Sequence, residues 1–194
     1  MRLGVLGGTF DPIHVGHVAA GVSARHVLRL DRVLFVVANA PWQKQGRRLA
    51  PAQDRLDMVE AALDGIDGLE ASAIEVERGG VTYTADTLET LAASHPQAEL
   101  FLIVGTDVAH DLHTWERQDE IKRRATLAIV TRPGSPPSPS SDDGWRTETV
   151  EMPQLDVSSS GLRAWLAQGR PVDGLVPAGA VRLLRQRALY AGSG

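Results

Sequence analysis

The sequence predicts an α/β protein, a single doubly wound domain built on a parallel sheet. Two observations carry this. Short apolar runs rich in β-branched residues recur at 3–7, 32–38, 69–77, 99–105 and 125–131, the character of strands covered on both faces. Helical stretches of roughly ten to fifteen residues separate or follow them, near 16–29, 51–64, 84–94, 158–168 and 177–190. Two of these open on a proline, Pro51 and Pro177, whose fixed φ suits a helix start. Strands joined through helices of that length give parallel pairing with right-handed crossovers.

Composition bounds the function. A chain of 194 residues, 43% hydrophobic and 23% charged, can bury the core of one domain. A net charge of −4 argues against a partner held by general electrostatics, nucleic acid above all. With no cysteine, thiolate nucleophiles, disulfides and Cys-ligated metals are excluded. No stretch approaches the ~20 apolar residues of a membrane span, and the N-terminal apolar run is too short for a signal-peptide core; a cytoplasmic protein without membrane partners is expected. "RPGSPPSPSSDDGW" at 132–145 is Pro/Ser-rich and lacks apolar periodicity, so residues 133–145 are expected to form a flexible surface loop inserted into the one domain, 1–194.

The chemistry concentrates in "GGTFDPIHVGH", 7–17. It follows the first predicted strand and enters the first predicted helix, at the carboxyl end where open α/β sheets bind ligands. Gly7 and Gly8 have no Cβ and permit close approach of a ligand. The free N–H groups of the helix beyond form an anion site. The Walker pattern and the GxGxxG dinucleotide pattern are both absent. Instead, His14 and His17 lie one helical turn apart on one face, where imidazole N–H groups can meet charge developing on phosphate.

Further stretches supply groups of matching chemistry. "DVSSSGLRAWL" at 156–166 opens a helix with hydroxyls and brings Arg163 one turn in; this suits a triphosphate, with plain N-capping by Ser158 or Ser159 as the bland alternative. "APWQKQG" at 40–46 offers Lys44 in a loop after the second strand. In "GGVTYTADTL" (79–88), Thr84 to Asp86 open a helix, and in "VGTDVAHDLHTW" (104–115), Gly105 and Asp107 follow a strand end while Trp115 can stack on a ring. Asp107, His110, Asp111 and His113 have the residue types of metal ligands near helical spacing, but His113 lies off the face shared by the others, and no second cluster completes a shell.

"GGTFDPIHVGH" resembles the (H/T)xGH signature of the nucleotidylyltransferase superfamily, in the form found in bacterial nicotinate mononucleotide adenylyltransferases. "DVSSSGLR" is similar to that family's ISSTxIR element, "YTADTL" to its YTxDTL, and "GTDVAHDLHTW" to its GxDxxxxLxxW; Trp42-Gln43 departs from its usual PPHK. The resemblance implies a Rossmann-like nucleotidylyltransferase domain that moves AMP from ATP to nicotinate mononucleotide. It further implies ATP binding by Gly8, Thr9, Phe10, His14, His17, Gly105, Asp107, Arg132, Ser158, Ser159 and Arg163. Acceptor binding is implied for Lys44, Tyr83, Thr84, Ala85, Asp86 and Trp115, and catalysis for His14, His17, Lys44 and Arg163. Mg²⁺ is implied as the ion carried by the ATP phosphates, with no metal held by the protein. Alternatives are a pantetheine-phosphate adenylyltransferase, whose motif lacks this His14, and a non-catalytic nucleotide sensor.

Overall fold

The computed structural model describes residues 1–41, 49–131 and 144–190. Along the chain run β1 (Arg2–Gly8), α1 (Val15–Val27), β2 (Arg32–Val37), β3 (Ala40–Pro41), α2 (Ala52–Leu63), β4 (Leu69–Ser72), α3 (Ile74–Arg78) and β5 (Val81–Thr82). Then come α4 (Thr84–Ser94), β6 (Glu99–Gly105), α5 (Thr106–His110), a 3₁₀ turn (Leu112–Thr114), α6 (Gln118–Arg124), β7 (Ala125–Thr131), β8 (Thr147–Glu151), α7 (Ser159–Ala167) and α8 (Ala178–Gln186).

Six strands form one sheet in the order β4-β2-β1-β6-β7-β8, every pair parallel. Counted along the sheet's own strands this is 3-2-1-4-5-6, the doubly wound order whose switch point lies between β1 and β6. Two cores explain why the strands read as continuous apolar runs. Val33, Phe35 and Val37 of β2 and Phe101 and Ile103 of β6 enter the core on one face. Their alternate neighbours Leu34, Val36, Leu100, Leu102 and Val104 enter the other. Period-two alternation is present, but both phases are apolar because helices cover both faces. On the first face α8 lies so close to α2 that a Cβ on Gly179 would sit 1.9 Å from the Ala61 carbonyl oxygen. A separate two-stranded ladder joins β3 to β5, tying the chain beyond β2 to the entry of α4.

Two expectations need correction, and one strand lies beyond them. The predicted strand 69–77 stops at Ser72 and continues as α3, because the apolar alternation breaks at Ala73-Ile74. The loop expected over 133–145 ends before Trp145, which is only 8% exposed and packs into the second core, with the Lys122 ammonium 5.3 Å from its ring centre; residues 133–143 lie outside the described residues. Strand β8 was not foreseen. It pairs on one side only, and Val150 alone among its residues is buried, so it carries almost no apolar pattern.

Candidate active site

The turn from β1 into α1 reverses the chain at the carboxyl edge of the sheet, beside the ends of β6 and β7. The left-handed residue of that turn is Phe10, at φ 48°, rather than either glycine. Its ring is buried against Phe35 and meets the edge of His17 at 5.0 Å. A Cβ on Gly8 would lie 2.9 Å from this ring, whereas one on Gly7 would meet nothing within 4 Å. Gly8 is therefore required by Phe10, and only Gly7 opens onto free space.

His14 is the N-cap of α1 in extended conformation, and His17 is its third helical residue. The rings stack with centres 3.7 Å apart, as their spacing predicts. Gly16 makes this possible, since a Cβ there would lie 3.1 Å from His14 Nδ1. The His14 backbone N–H donates to His17 Nδ1 at 3.2 Å. A ring nitrogen that accepts carries no proton, so the neutral His17 ring bears its proton on Nε2, which faces away from this bond as a donor. The Val15 N–H donates to the Leu175 carbonyl at 2.9 Å and that of His17 to the His14 carbonyl at 2.9 Å. Fewer helix amides remain for an anion than the sequence suggests, and the donor role shifts toward His17 Nε2.

The α7 elements reach the same turn. Ser158 caps α7 by accepting from the Gly161 N–H, and Ser159 Oγ donates to the Pro12 carbonyl at 2.9 Å. Arg163 Nη1 donates to the Asp11 carbonyl at 2.6 Å and stands 3.6 Å from Asp11 Oδ2. Gly105 caps α5 at the exposed end of β6 and Asp107 is exposed in its first turn, while Thr106 Oγ1 bonds the Val130 carbonyl of β7. Lys44 and Arg132 lie outside the described residues.

A second group forms around α4. Tyr83 is its N-cap, Thr84 and Asp86 are half-buried, and Ala85 is fully buried. The Asp86 and Thr87 amides return to the Tyr83 carbonyl, and the Asp86 carboxylate pairs with Arg117. Trp115 packs beside this helix on the second core, with its indole Nε1 buried and without a partner among the described residues. Beneath, Glu75 is buried and accepts from Thr87 Oγ1 at 2.5 Å; burial raises its carboxyl pKa against the pull of the Thr87 and Thr82 hydroxyls and Arg78. Among the described residues no three His, Asp or Glu side chains are grouped to hold a metal, Asp107 to His113 included.

Sequence reasoning missed Arg55. Only 1% exposed, its guanidinium donates to the carbonyls of Ala50 (2.9 Å), Thr9 (2.7 Å), Ala38 (2.7 Å) and Asn39 (3.0 Å). It staples the β1–α1 turn to the end of β2. Burial lowers its pKa, with Asp11 acting in the opposite sense. The signal was present: residue 55 shares a helical face with Met58, Val59 and Ala62, all buried, where a charge is out of place.

Comparison with known proteins places this geometry. The cytidylyltransferase-like family profile matches residues 5–165. A protein of Corynebacterium kroppenstedtii named "Probable nicotinate-nucleotide adenylyltransferase" is 41% identical, the match spanning 100% of this chain and 92% of that one. One of the same name from Streptomyces coelicolor is 41% identical over 96% of this chain and 100% of its own. The chain belongs to the nicotinate-nucleotide adenylyltransferase family. The Plasmodium falciparum nicotinic acid mononucleotide adenylyltransferase solved with NaAD superposes with TM-score 0.78 at 18% identity, covering 97% of each chain, and the same enzyme with APC gives 0.76 at 17%. These two solved structures share the nicotinate-nucleotide adenylyltransferase fold seen here, and no helix among the described residues is long and apolar enough to cross a membrane.

Proposed function

We propose that the protein transfers AMP from ATP to nicotinate mononucleotide, releasing pyrophosphate and forming nicotinic acid adenine dinucleotide. The observation that carries this is the stacked His14–His17 pair at the sheet's switch point, with the proton of His17 directed to Nε2 by the His14 amide. The acceptor's phosphate, with a second pKa about 6, is already largely ionised near neutrality, so the reaction needs no general base. It needs alignment and charge neutralisation around the α-phosphate. His17 Nε2–H and the Arg163 guanidinium supply donors there, joined by His14, with Ser158 and Ser159 at the start of α7; Lys44, outside the described residues, is assigned the same role by the family resemblance alone. Gly8, Thr9 and Phe10 form the floor for the nucleotide, and Gly105 and Asp107 line its adenosine side; Arg132, outside the described residues, is assigned to ATP by the family resemblance alone.

The residues at the turn suit a divalent ion that enters with ATP. The carboxylate of this turn, Asp11, is 1% exposed and already accepts from Ala50 and Tyr190, so the triphosphate's own oxygens are the fitting ligands. Mg²⁺ would there offset phosphate charge. Arg163 and the imidazoles hold the remaining oxygens.

For the acceptor, the amide of half-buried Thr84 is not among those returned to Tyr83 and suits a carboxylate, with the fully buried Ala85 behind it. Arg117 neutralises Asp86, removing the charge that would oppose it, and Trp115 offers a stacking face. Tyr83 borders the ring. The test is pyrophosphate release from ATP and Mg²⁺ with each acceptor. Nicotinate mononucleotide should give a dinucleotide; turnover with phosphopantetheine alone, or nucleotide binding without turnover, refutes the proposal.

A further inference from the structure

The β1–α1 turn is gripped by side chains from distant parts of the chain, and one has no part in the chemistry proposed above. Tyr190 Oη donates to Asp11 Oδ1 at 2.6 Å across 179 positions of sequence. Two left-handed residues, Ala188 (φ 49°) and Tyr190 itself (φ 64°), bend the chain after α8 to deliver it. Such conformations cost a non-glycine residue energy, so the contact is held by its surroundings. Asp11 is a buried carboxylate, with Ala50 N–H at 3.1 Å as the second donor to Oδ1. Its other oxygen, buried and without a hydrogen-bond partner among the described residues, faces Arg163 Nη1 at 3.6 Å, beyond the length of a made hydrogen bond. That same nitrogen is committed to the Asp11 carbonyl.

We propose that Tyr190 is a positioning residue of the nucleotide site: by anchoring Asp11 through Oδ1, its hydroxyl keeps the unpartnered Oδ2 from closing on Arg163. A buried carboxylate seeks donors, because leaving it short of them is costly. Arg163 is the cation paired with this carboxylate and has a partly exposed side chain (32%), whereas Arg55 is spent on four carbonyls. Without the Tyr190 donor, the 3.6 Å gap closes into a charge-assisted hydrogen bond, and Arg163 turns inward from the triphosphate. Burial and the adjacent carboxylate hold the proton on the tyrosine hydroxyl, so the donor persists throughout the working pH range.

The inference rests on Arg163 serving ATP, but it can be read without any acceptor. ATP with Mg²⁺ is titrated calorimetrically into the parent, Tyr190→Phe, Asp11→Asn and the double variant, with melting temperatures alongside. Tyr190→Phe should weaken ATP binding roughly tenfold. In the double variant the competitor is gone, and binding should return to within about twofold of Asp11→Asn. Additive losses, or unchanged ATP binding in Tyr190→Phe, overturn the proposal. If Tyr190→Phe does not fold, Asp11→Asn decides alone: ATP binding equal to or tighter than the parent's supports the competition, and weaker binding refutes it. Should the parent bind ATP yet serve no nicotinate acceptor, the proposed reaction fails while this comparison still stands.

Discussion

Replacing Arg55 with methionine keeps much of its volume and removes every donor. Four carbonyls lose their partner, and a hydrogen bond from a charged donor contributes about 1.5–3 kcal/mol. Simple addition would give ~6–12 kcal/mol, which overcounts twice. Burying the guanidinium itself costs several kcal/mol, recovered when it is removed. The Ala50 and Asn39 bonds are only part-buried, so those carbonyls can take water. The Thr9 and Ala38 bonds are fully buried, and these carbonyls are left orphaned. A net loss of about 3–5 kcal/mol follows, a large share of the ~5–15 kcal/mol that holds a domain together. At roughly 2–4 °C per kcal/mol for this size, the melting temperature falls by about 6–20 °C. Urea unfolding followed by tryptophan fluorescence measures it. Arg55→Lys should fall between, since an ammonium cannot span four carbonyls. A loss below ~1 kcal/mol for Arg55→Met would mean that the staple is not what holds the turn.

Loss of the His17 donor in His17→Ala should cut kcat about 10²–10³-fold with the melting temperature little changed, because the helix start is also held by Leu175; near-normal turnover with early melting would make His17 a packing residue. kcat/KM should favour nicotinate over nicotinamide mononucleotide by at least about tenfold, and Trp115→Ala should weaken both alike; equal use of the two acceptors refutes carboxylate recognition by α4. Glu75 binds its proton more tightly folded than unfolded. Its contribution to stability is therefore full below the ordinary value of 4.5 and lost as pH rises through the raised folded value. Glu75→Gln should flatten that slope in pH-resolved denaturation, and an identical pH profile in the variant refutes the assignment.

The parts legible in the sequence are those whose signal is local. Strands β1, β2, β6 and β7 are legible because both of their faces are apolar, and the shared face of His14 and His17 follows from their spacing, though the stacking itself also needs Gly16. Partners far away in sequence were not legible. Nothing around Tyr190 points to Asp11, and the role of Gly8 depends on where the Phe10 ring folds back. Ser158 and Ser159 show the same limit. Their hydroxyls suggest phosphate, yet one caps its own helix and the other braces Pro12; which use prevails with nucleotide present is a matter of competition, not of pattern. Strand β8 escaped because an edge strand with one buried side chain has no periodicity to read.

The position of β1 bears on how the protein comes off the ribosome. It is made before every other strand of this sheet, yet it lies in the interior, with β2 on one side and β6 on the other. Leu3, Val5 and Leu6 must wait for residues 99–105 before that second side is covered. Until then the nascent chain exposes an apolar strand with an unpaired edge, the condition in which chains associate wrongly. The turn that follows waits longer still, since Ser159, Arg163 and Tyr190 are made after every strand of the sheet. Long-range pairing of this kind slows folding, so the nucleotide site takes its shape only once residues 159–190 have been made, long after its own motif.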